Sequence, residues 1–432
     1  MIFKSLKFSI NKTNNALFVS FYGSFYFEVP LEELIKIDHD FKIDPKNSHN
    51  IIIKPKAEKK FMFIIDKYMH NLRSKINKTD SKANNKAIYI HENSGIPLFG
   101  LQFIGIIDKG TDMIEIKPLT GCNMNCIFCS VGEGLDTKKE VDFVVEEEYL
   151  VNELKALIDF KAKHEDNSNS SLDTKNKFSI WINPHGEPLL YSRILDLIKD
   201  IDEIQQVKDI HLITSGTLLN HAVIDQLAKI KKLKMSISIS AFDKEKAKQL
   251  MGTKAYVLKH VLDMVKYAVS KGIETTITPV YIHGINDDDI ERLIRFCKAV
   301  NKANQNTNDN NKLNISIQKF CMNKFGRNPI KEQDWDDFGK KMKEWENLYG
   351  YELLQTGDIG KTEELPRPFK KGDVVQADIV SSGRFLRDKI AVAKGRCILL
   401  PKCTKCTKSI NEKCKVKVKI TTNKYGMYIG SC

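Results

Sequence analysis

From Met113 onward the chain alternates strand-like and helix-like segments, and that alternation restricts its fold more than any other feature. Strands read at Ile114–Pro118, Phe178–Ile182, Ile210–Thr214, Lys234–Ser240, Glu274–Val280 and Lys312–Phe320. Between them the apolar period is that of helices: Glu146–His164, Arg193–Ile204, His221–Ile230, Tyr256–Lys271 and Asp288–Ala303. Six β/α repeats predict an α/β domain with a parallel sheet and helices outside. Six rather than eight repeats predict a partial (β/α)6 TIM-like barrel, open on one side to admit a large substrate. In such barrels chemistry gathers at the C-terminal ends of the strands. The Asn- and Ser-rich stretches Asp166–Lys177 and Asn304–Asn311 read as loop insertions.

The flanks differ from this centre. Residues 1–112 alternate short apolar runs with polar turns and predict a small β-rich α+β domain, with a helix over Lys60–Lys78 and a loop over Asn77–Lys86. The central unit extends over 113–365 and closes with a helix, Asp334–Tyr349, whose stripe of Trp335, Phe338, Met342, Trp345 and Tyr349 reads as core. Linker Gly357–Pro368 follows. Residues 366–432 then carry five short strand patterns, the mark of a small C-terminal β-barrel of the oligonucleotide-binding type. This last segment holds sixteen Lys and Arg against four acids, whereas 113–365 is slightly acidic. Such asymmetry predicts a polyanionic partner docking through the C-terminal domain. No run of eighteen apolar residues occurs and the first residues lack a signal-peptide core, so the expectation is a cytoplasmic protein without membrane contact.

The cysteines sharpen the functional reading. Cys122, Cys126 and Cys129 stand as C-x3-C-x2-C on the loop after the first strand of the barrel, with no histidine within thirty positions. Thiolates suit iron–sulfur clusters, which normally take four. Three can hold three irons of a cubane and leave the fourth iron open. The alternatives are a zinc site, which usually recruits histidine, or three buried structural thiols.

With the aromatic Phe128 before the third cysteine, the run Thr120–Ser130 resembles the signature of the radical S-adenosylmethionine (SAM) superfamily. Asn183-Pro-His-Gly-Glu-Pro188, one β/α unit later, resembles its Gly-Gly-Glu-Pro element, with His185 in place of the first glycine. The resemblance covers about residues 113–320. It implies a 4Fe–4S cluster on the three cysteines, SAM on the open iron, and an electron donor such as ferredoxin or flavodoxin. It implies that Glu187, with Gly186 and Pro188, receives the methionyl ammonium of SAM. Ser238, on the face shared with Ser236 and Ser240, is expected to meet its ribose or carboxylate, and Asn286 to approach the adenine, with a helix N-cap as the alternative for Asn286. Thr214-Ser-Gly-Thr217 stands where relatives often show Thr-Asn-Gly. His185 and His283 are the histidines near the strand ends. Gln318 and Lys319 end the sixth strand and are candidates to face the substrate, while Lys324, Arg327 and Lys331 read as phosphate-steering or surface charge. Cys297 reads as core, and Cys321 as a buried thiol near the rim.

The tail holds a second set, Cys397, Cys403, Cys406, Cys414 and Cys432. The expectation is a second 4Fe–4S cluster or, second, zinc on Cys403, Cys406, Cys414 and Cys432, with Cys397 as an alternate ligand and free thiols as the last alternative. Lys413–Ile420 alternates lysine with residues of buried type, which gives a strand with one cationic face. Lys415, Lys417 and Lys419, with Arg384 and Arg396, read as a phosphate-binding surface for RNA, in particular tRNA. Gly383-Arg-Phe-Leu with Gly395-Arg396 also resembles, more loosely, the TRAM domain of RNA-modifying enzymes. Modification of a nucleoside in tRNA or another RNA is therefore the leading reading. Peptide or protein side-chain modification with an auxiliary cluster is the alternative, and an iron–sulfur RNA-binding protein with a relic barrel is a third.

Overall fold

The computed structural model describes residues 1–3, 5–76, 85–135, 137–165, 177–303, 312–354, 359–405 and 414–432. The predicted insertions and the loop beginning at Asn77 fall almost wholly outside these residues, as does Cys406.

The β/α alternation folds as expected. A seven-stranded sheet runs in the order Leu313–Ile315, Glu274–Ile277, Leu233–Ile237, Val207–Thr214, Phe178–Ile182, Met113–Lys117 and Gly105–Asp108. The first six are mutually parallel, and the seventh joins antiparallel as a hairpin on Met113–Lys117. The sheet is open, a partial barrel, with helices Glu147–Glu165, Ile194–Asp202, His221–Leu227, Leu258–Ser270 and Asp287–Ala303 as crossovers. Ile180, Leu212, Met235 and Ile277 pack under these helices. The alternate residues Ser179, Trp181, His211 and Ser236 face the open side and are only partly buried.

A further helix, Lys244–Met251, was not anticipated. Asp243 caps it by accepting from Glu245 and Lys246 N–H, and Gly252 ends it at φ +66°. Helix Trp335–Tyr349 buries Phe338, Met342, Trp345 and Tyr349 as expected, but Trp335 at its first turn is 64% exposed.

The N-terminal sheet has six strands, Leu6–Asn11, Ala16–Phe21, Phe25–Pro30, Arg73–Ser74, Lys86–Ile90 and Val141–Val145, in that spatial order. The helix expected over Lys60–Lys78 spans Glu58–Met69. The last strand comes from the segment after the cysteine loop and pairs in parallel with Lys86–Ile90. The boundary drawn after residue 112 passes through the turn of the hairpin that joins the central sheet, so the two units share strands and one hydrophobic core.

Residues Val374–Ser382, Lys389–Ala393, Arg396–Leu400, Cys414–Lys424 and Met427–Ser431 close a five-stranded barrel with its own small core. In chain order its strands run 1-2-3-5-4 and return to 1, with the third and fifth parallel. Its seam with the rest is tight. Cys397 N–H donates to Phe99 C=O and Tyr428 N–H to Gly100 C=O, each at 2.9 Å. Among the described residues, no helix is long and apolar enough to cross a membrane.

Candidate active site at the strand ends

The cysteine loop leaves the first parallel strand and is fixed from three sides. Thr120–Gly121 pairs with His185–Gly186, and Glu187 N–H donates to Gly121 C=O at 2.9 Å. A Cβ on Gly186 would lie 1.9 Å from that same carbonyl, so only glycine permits the approach. Asn125 and Ile127 N–H donate to Met251 and Leu250 C=O at the end of helix Lys244–Met251, each at 3.0 Å. Arg327 clasps the third side: its guanidinium donates to Cys126 C=O at 3.2 Å, to Glu133 C=O at 2.8 Å and to Asn125 Oδ1. The phosphate-steering reading of Arg327 is thereby corrected, because its donors are engaged with the loop.

Cys122, Cys126 and Cys129 are free thiols lining one cavity of about 400 Å³. That volume suits a small-molecule cofactor. Phe128, Gly186, Glu187, Thr214, Ser215, Ser238, Gln318 and Lys319 share its walls. Desolvation raises the Cys122 thiol well above its ordinary value, and Cys126 is pushed up to about 12 by burial, with the neighbouring Cys129 adding to it. Burial thus favours the protonated form of Cys122 and Cys126, and iron must displace those protons to bind. Among the described residues, no three His, Cys, Asp or Glu side chains meet the geometry of a single-metal site. Three thiols presented to one cavity, with no histidine beside them, instead fit a cluster that offers each its own iron.

Glu187 is 2% exposed and rigidly held. Its Oε1 accepts from Thr214 Oγ1 at 2.5 Å and Leu189 N–H at 3.1 Å. Its Oε2 accepts from Ser215 N–H at 2.8 Å and Ser215 Oγ at 2.6 Å. Four donors fill the lone-pair positions of a carboxylate. A cation arriving here meets the carboxylate's charge, and the two hydroxyls can rotate to accept from it. Thr214 and Ser215 are therefore part of the site.

The remaining expectations divide. Ser238 faces the cavity, whereas Ser240 is buried and accepts from Val280 N–H at 3.1 Å. Asn286 is wholly buried and does not line the cavity. Its Oδ1 accepts from Ile282 N–H at 2.8 Å, and its amide donates to Ser240 and Val280 C=O at 2.8 and 2.9 Å. It braces two loops, which corrects the expectation of a cofactor contact. Pro188 is buried and opens the short 3-10 turn that Glu187 caps. His185 is also buried, and desolvation with Lys117, Arg384 and Lys139 nearby pushes its pKa far down, so it is a neutral acceptor. His283 is largely exposed and meets Tyr281 Oη at 2.9 Å. Lys319 lines the cavity with its ammonium 4.8 Å from the Trp335 ring centre and 3.6 Å from Glu332. Cys321 also lines it, while Cys297 is in the core. Sequence reasoning missed Glu133 and Met251 as lining residues; the Asp243 cap and Gly252 are the signals that locate Met251.

In the tail, Cys403 is joined to Cys432 as a disulfide with 6.1 Å between Cα atoms, and Cys414 is disulfide-bonded as well. In this bonded form those three residues are not metal ligands, and the expected second cluster or zinc is not shown. Cys397 is fully buried and donates to Pro97 C=O at 3.2 Å, so it belongs to the seam and not to a ligand set. Arg396 donates to Gly395 and Pro366 C=O and lies 5.4 Å from the Phe99 ring centre, again at the seam. Arg384 is buried, paired with Glu133. Arg384 is thus corrected as a free phosphate contact, while Arg396 stays partly exposed beside the seam. Lys415, Lys417 and Lys419 are exposed on one face of their strand, and among the described residues no acid pairs with them.

Comparison with known proteins agrees with this geometry. Residues 116–297 match the radical SAM superfamily. The chain is 33% identical over 420 residues to the uncharacterized protein MJ0103 of Methanocaldococcus jannaschii, covering 92% of this chain and 90% of that one. It is 27% identical to the GTP 3',8-cyclase of Clostridium botulinum over 186 residues, 43% of this chain and about half of the cyclase, 52%. Among solved structures, Streptococcus suis SuiB covers 83% of this chain and 72% of its own, at 15% identity and a TM-score of 0.41. The chain belongs to the radical SAM superfamily. It is a radical SAM enzyme, and membership implies a 4Fe–4S cluster and bound SAM.

Proposed function

We propose that this enzyme modifies a nucleoside in RNA, in particular tRNA, with Cys122, Cys126 and Cys129 holding the cluster and Glu187, Phe128 and Ser238 around SAM. Held by Cys122, Cys126 and Cys129, a reduced cluster would supply the one electron for reductive cleavage of SAM, the source of the radical chemistry that would act on the substrate. The chain's own residues orient and shield this chemistry. Glu187, fixed by Thr214 and Ser215, offers a negative charge to the methionyl ammonium. Met124, Phe128 and Met251 line the cavity beside the thiols and keep water away. A small reductase such as ferredoxin or flavodoxin supplies the electron. The tail cysteines, when reduced, offer thiolates for zinc or a second cluster, and iron and zinc assays of anaerobically prepared protein decide between metal and disulfide.

The observation that carries the substrate class is the cationic strand. Lys415, Lys417 and Lys419 lie opposite Asp378, Gln376 and Val374 across the ladder, so at most one faces an acid. They stand roughly 7 Å apart along an exposed face. Such a row on an oligonucleotide-binding-type barrel suits a phosphate backbone. RNA affinity should then fall by about 0.7–0.9 log units per tenfold salt for each phosphate contact. Charge reversal at the three lysines should flatten that slope and weaken binding to many RNAs alike. Salt-independent binding by the parent, or an unchanged slope in the triple variant, contradicts RNA docking and favours a peptide substrate.

A further inference from the structure

The wall of the cofactor cavity is held from behind by a side chain from another domain. Arg384 sits on the loop between Val374–Ser382 and Lys389–Ala393, the first two strands of the C-terminal barrel. In oligonucleotide-binding folds that loop commonly meets the ligand. Here it enters the central domain, and the Arg384 side chain is 7% exposed. Its guanidinium pairs with the Glu133 carboxylate, four residues beyond Cys129 and itself lining the cavity. Nη1 donates to His185 Nδ1 at 3.3 Å, beside Gly186. The Arg384 carbonyl accepts from Glu140 N–H at 2.8 Å and Val141 N–H at 3.3 Å. Phe103 and Phe385 flank the guanidinium, with ring centres at 5.4 and 5.3 Å.

The contacts continue behind Glu133. Lys139, its side chain wholly buried, pairs with Glu133 and, at 2.5 Å, with Asp142. Asp142 Oδ1 accepts from Thr120 Oγ1 at 3.0 Å, two residues before Cys122. Two cations and two anions thus form a neutral buried chain that ties the entry of the cysteine loop, its exit and the His185–Gly186 edge to one another. Breaking such a chain at one member leaves an uncompensated charge in a dry place. A planar fork that binds a carboxylate and an imidazole together is a task for arginine and not for lysine.

We infer that Arg384 is a positioning residue for the cofactor cavity, so that the C-terminal barrel forms part of the active-site frame as well as a docking surface. The inference rests on the proposed reading of the cavity as the cluster and SAM site. It gives the barrel a physical route to the chemistry, since whatever moves the loop carrying Arg384 also moves Glu133 and the Gly186 edge.

The test compares full-length parent, Arg384→Met, Arg384→Met with Glu133→Gln, and Arg396→Met after anaerobic cluster reconstitution. Arg396→Met loosens the same seam at Phe99 without reaching the cavity. Bound iron is counted, and SAM is titrated against the electron paramagnetic resonance spectrum of the reduced cluster, well below each melting temperature. Arg384→Met should lose about 10- to 100-fold in SAM affinity, the range found when outer partners of metal ligands are removed. The double variant, neutral again, should regain much of that loss. Arg396→Met should melt earlier yet titrate as the parent does. If Arg384→Met does not fold, Arg384→Lys takes its place, with a loss near the lower end. A parent-like titration in the Arg384 variant, or an equal loss in Arg396→Met, overturns the inference. A parent that takes up no cluster overturns the reading of the cavity itself, a separate result.

Discussion

Cys126 and Cys129 have the same C-x2-C spacing in sequence as Cys403 and Cys406, yet the surroundings of Cys126 and Cys129 differ in kind from those of Cys403. The first pair, with Cys122, faces a cavity as free thiols, and the loop that carries them is hydrogen-bonded to a helix end, a strand edge and Arg327. In the tail, Cys403 packs into a small barrel core and is bonded to Cys432. Spacing alone does not separate a ligand set from a staple. The separation comes from whether the fold leaves a cavity in front of the sulfurs and a carboxylate such as Glu187 across it.

Substitutions can break this contrast from either side. Outside the cysteines themselves, the largest effect is expected at Gly186, whose added Cβ would meet the Gly121 carbonyl at 1.9 Å. Gly186→Ala should force the strand edge apart, cost roughly 1–3 kcal/mol in stability, and weaken SAM binding on the order of 100-fold. Binding calorimetry on reconstituted protein and thermal melting read the two effects. A variant that binds SAM like the parent would show that this edge does not shape the cavity.

A smaller and different effect is expected in the tail. Replacing Cys403 and Cys432 with serine removes a cross-link between residues 29 apart. Aerobically purified variant should lose roughly 2–4 kcal/mol in urea unfolding while retaining SAM binding. Loss of iron or zinc in that variant, with no change in aerobic stability, would move the tail cysteines into the ligand class and erase the contrast.

Much of the active-site region was legible because its signals are local. The cysteine spacing and the Gly-Glu-Pro turn each occupy a few adjacent residues and face one cavity in the fold, and each strand or helix of the β/α alternation is read from its own short segment. Ser238 followed from the family resemblance together with strand alternation, which by itself gives Ser236, Ser238 and Ser240 equally. What escaped depends on partners distant in sequence. Val141–Val145 is a plain apolar run whose pairing with Lys86–Ile90 no local pattern announces. Arg384 and Arg396 look like their exposed neighbours in composition, and only the docked seam reveals that Arg384 is buried against Glu133 and His185 and that Arg396 reaches Pro366. Asn286 was read from a motif likeness, while its three-way bracing needs the folded loops to be seen. Helix Lys244–Met251 did carry a signal, since Asp243 and Gly252 mark its two ends.

The central claim, that the Cys122 loop holds the cluster that activates SAM, is tested most directly by comparing Cys126→Ala with the parent. Both are reconstituted anaerobically, reduced with dithionite and supplied with SAM, and 5'-deoxyadenosine is quantified beside bound iron. Removing one of three thiolates should empty the site, so the parent should form 5'-deoxyadenosine and the variant none, with the cluster's iron lost. Equal 5'-deoxyadenosine from the Cys126→Ala chain would contradict the account.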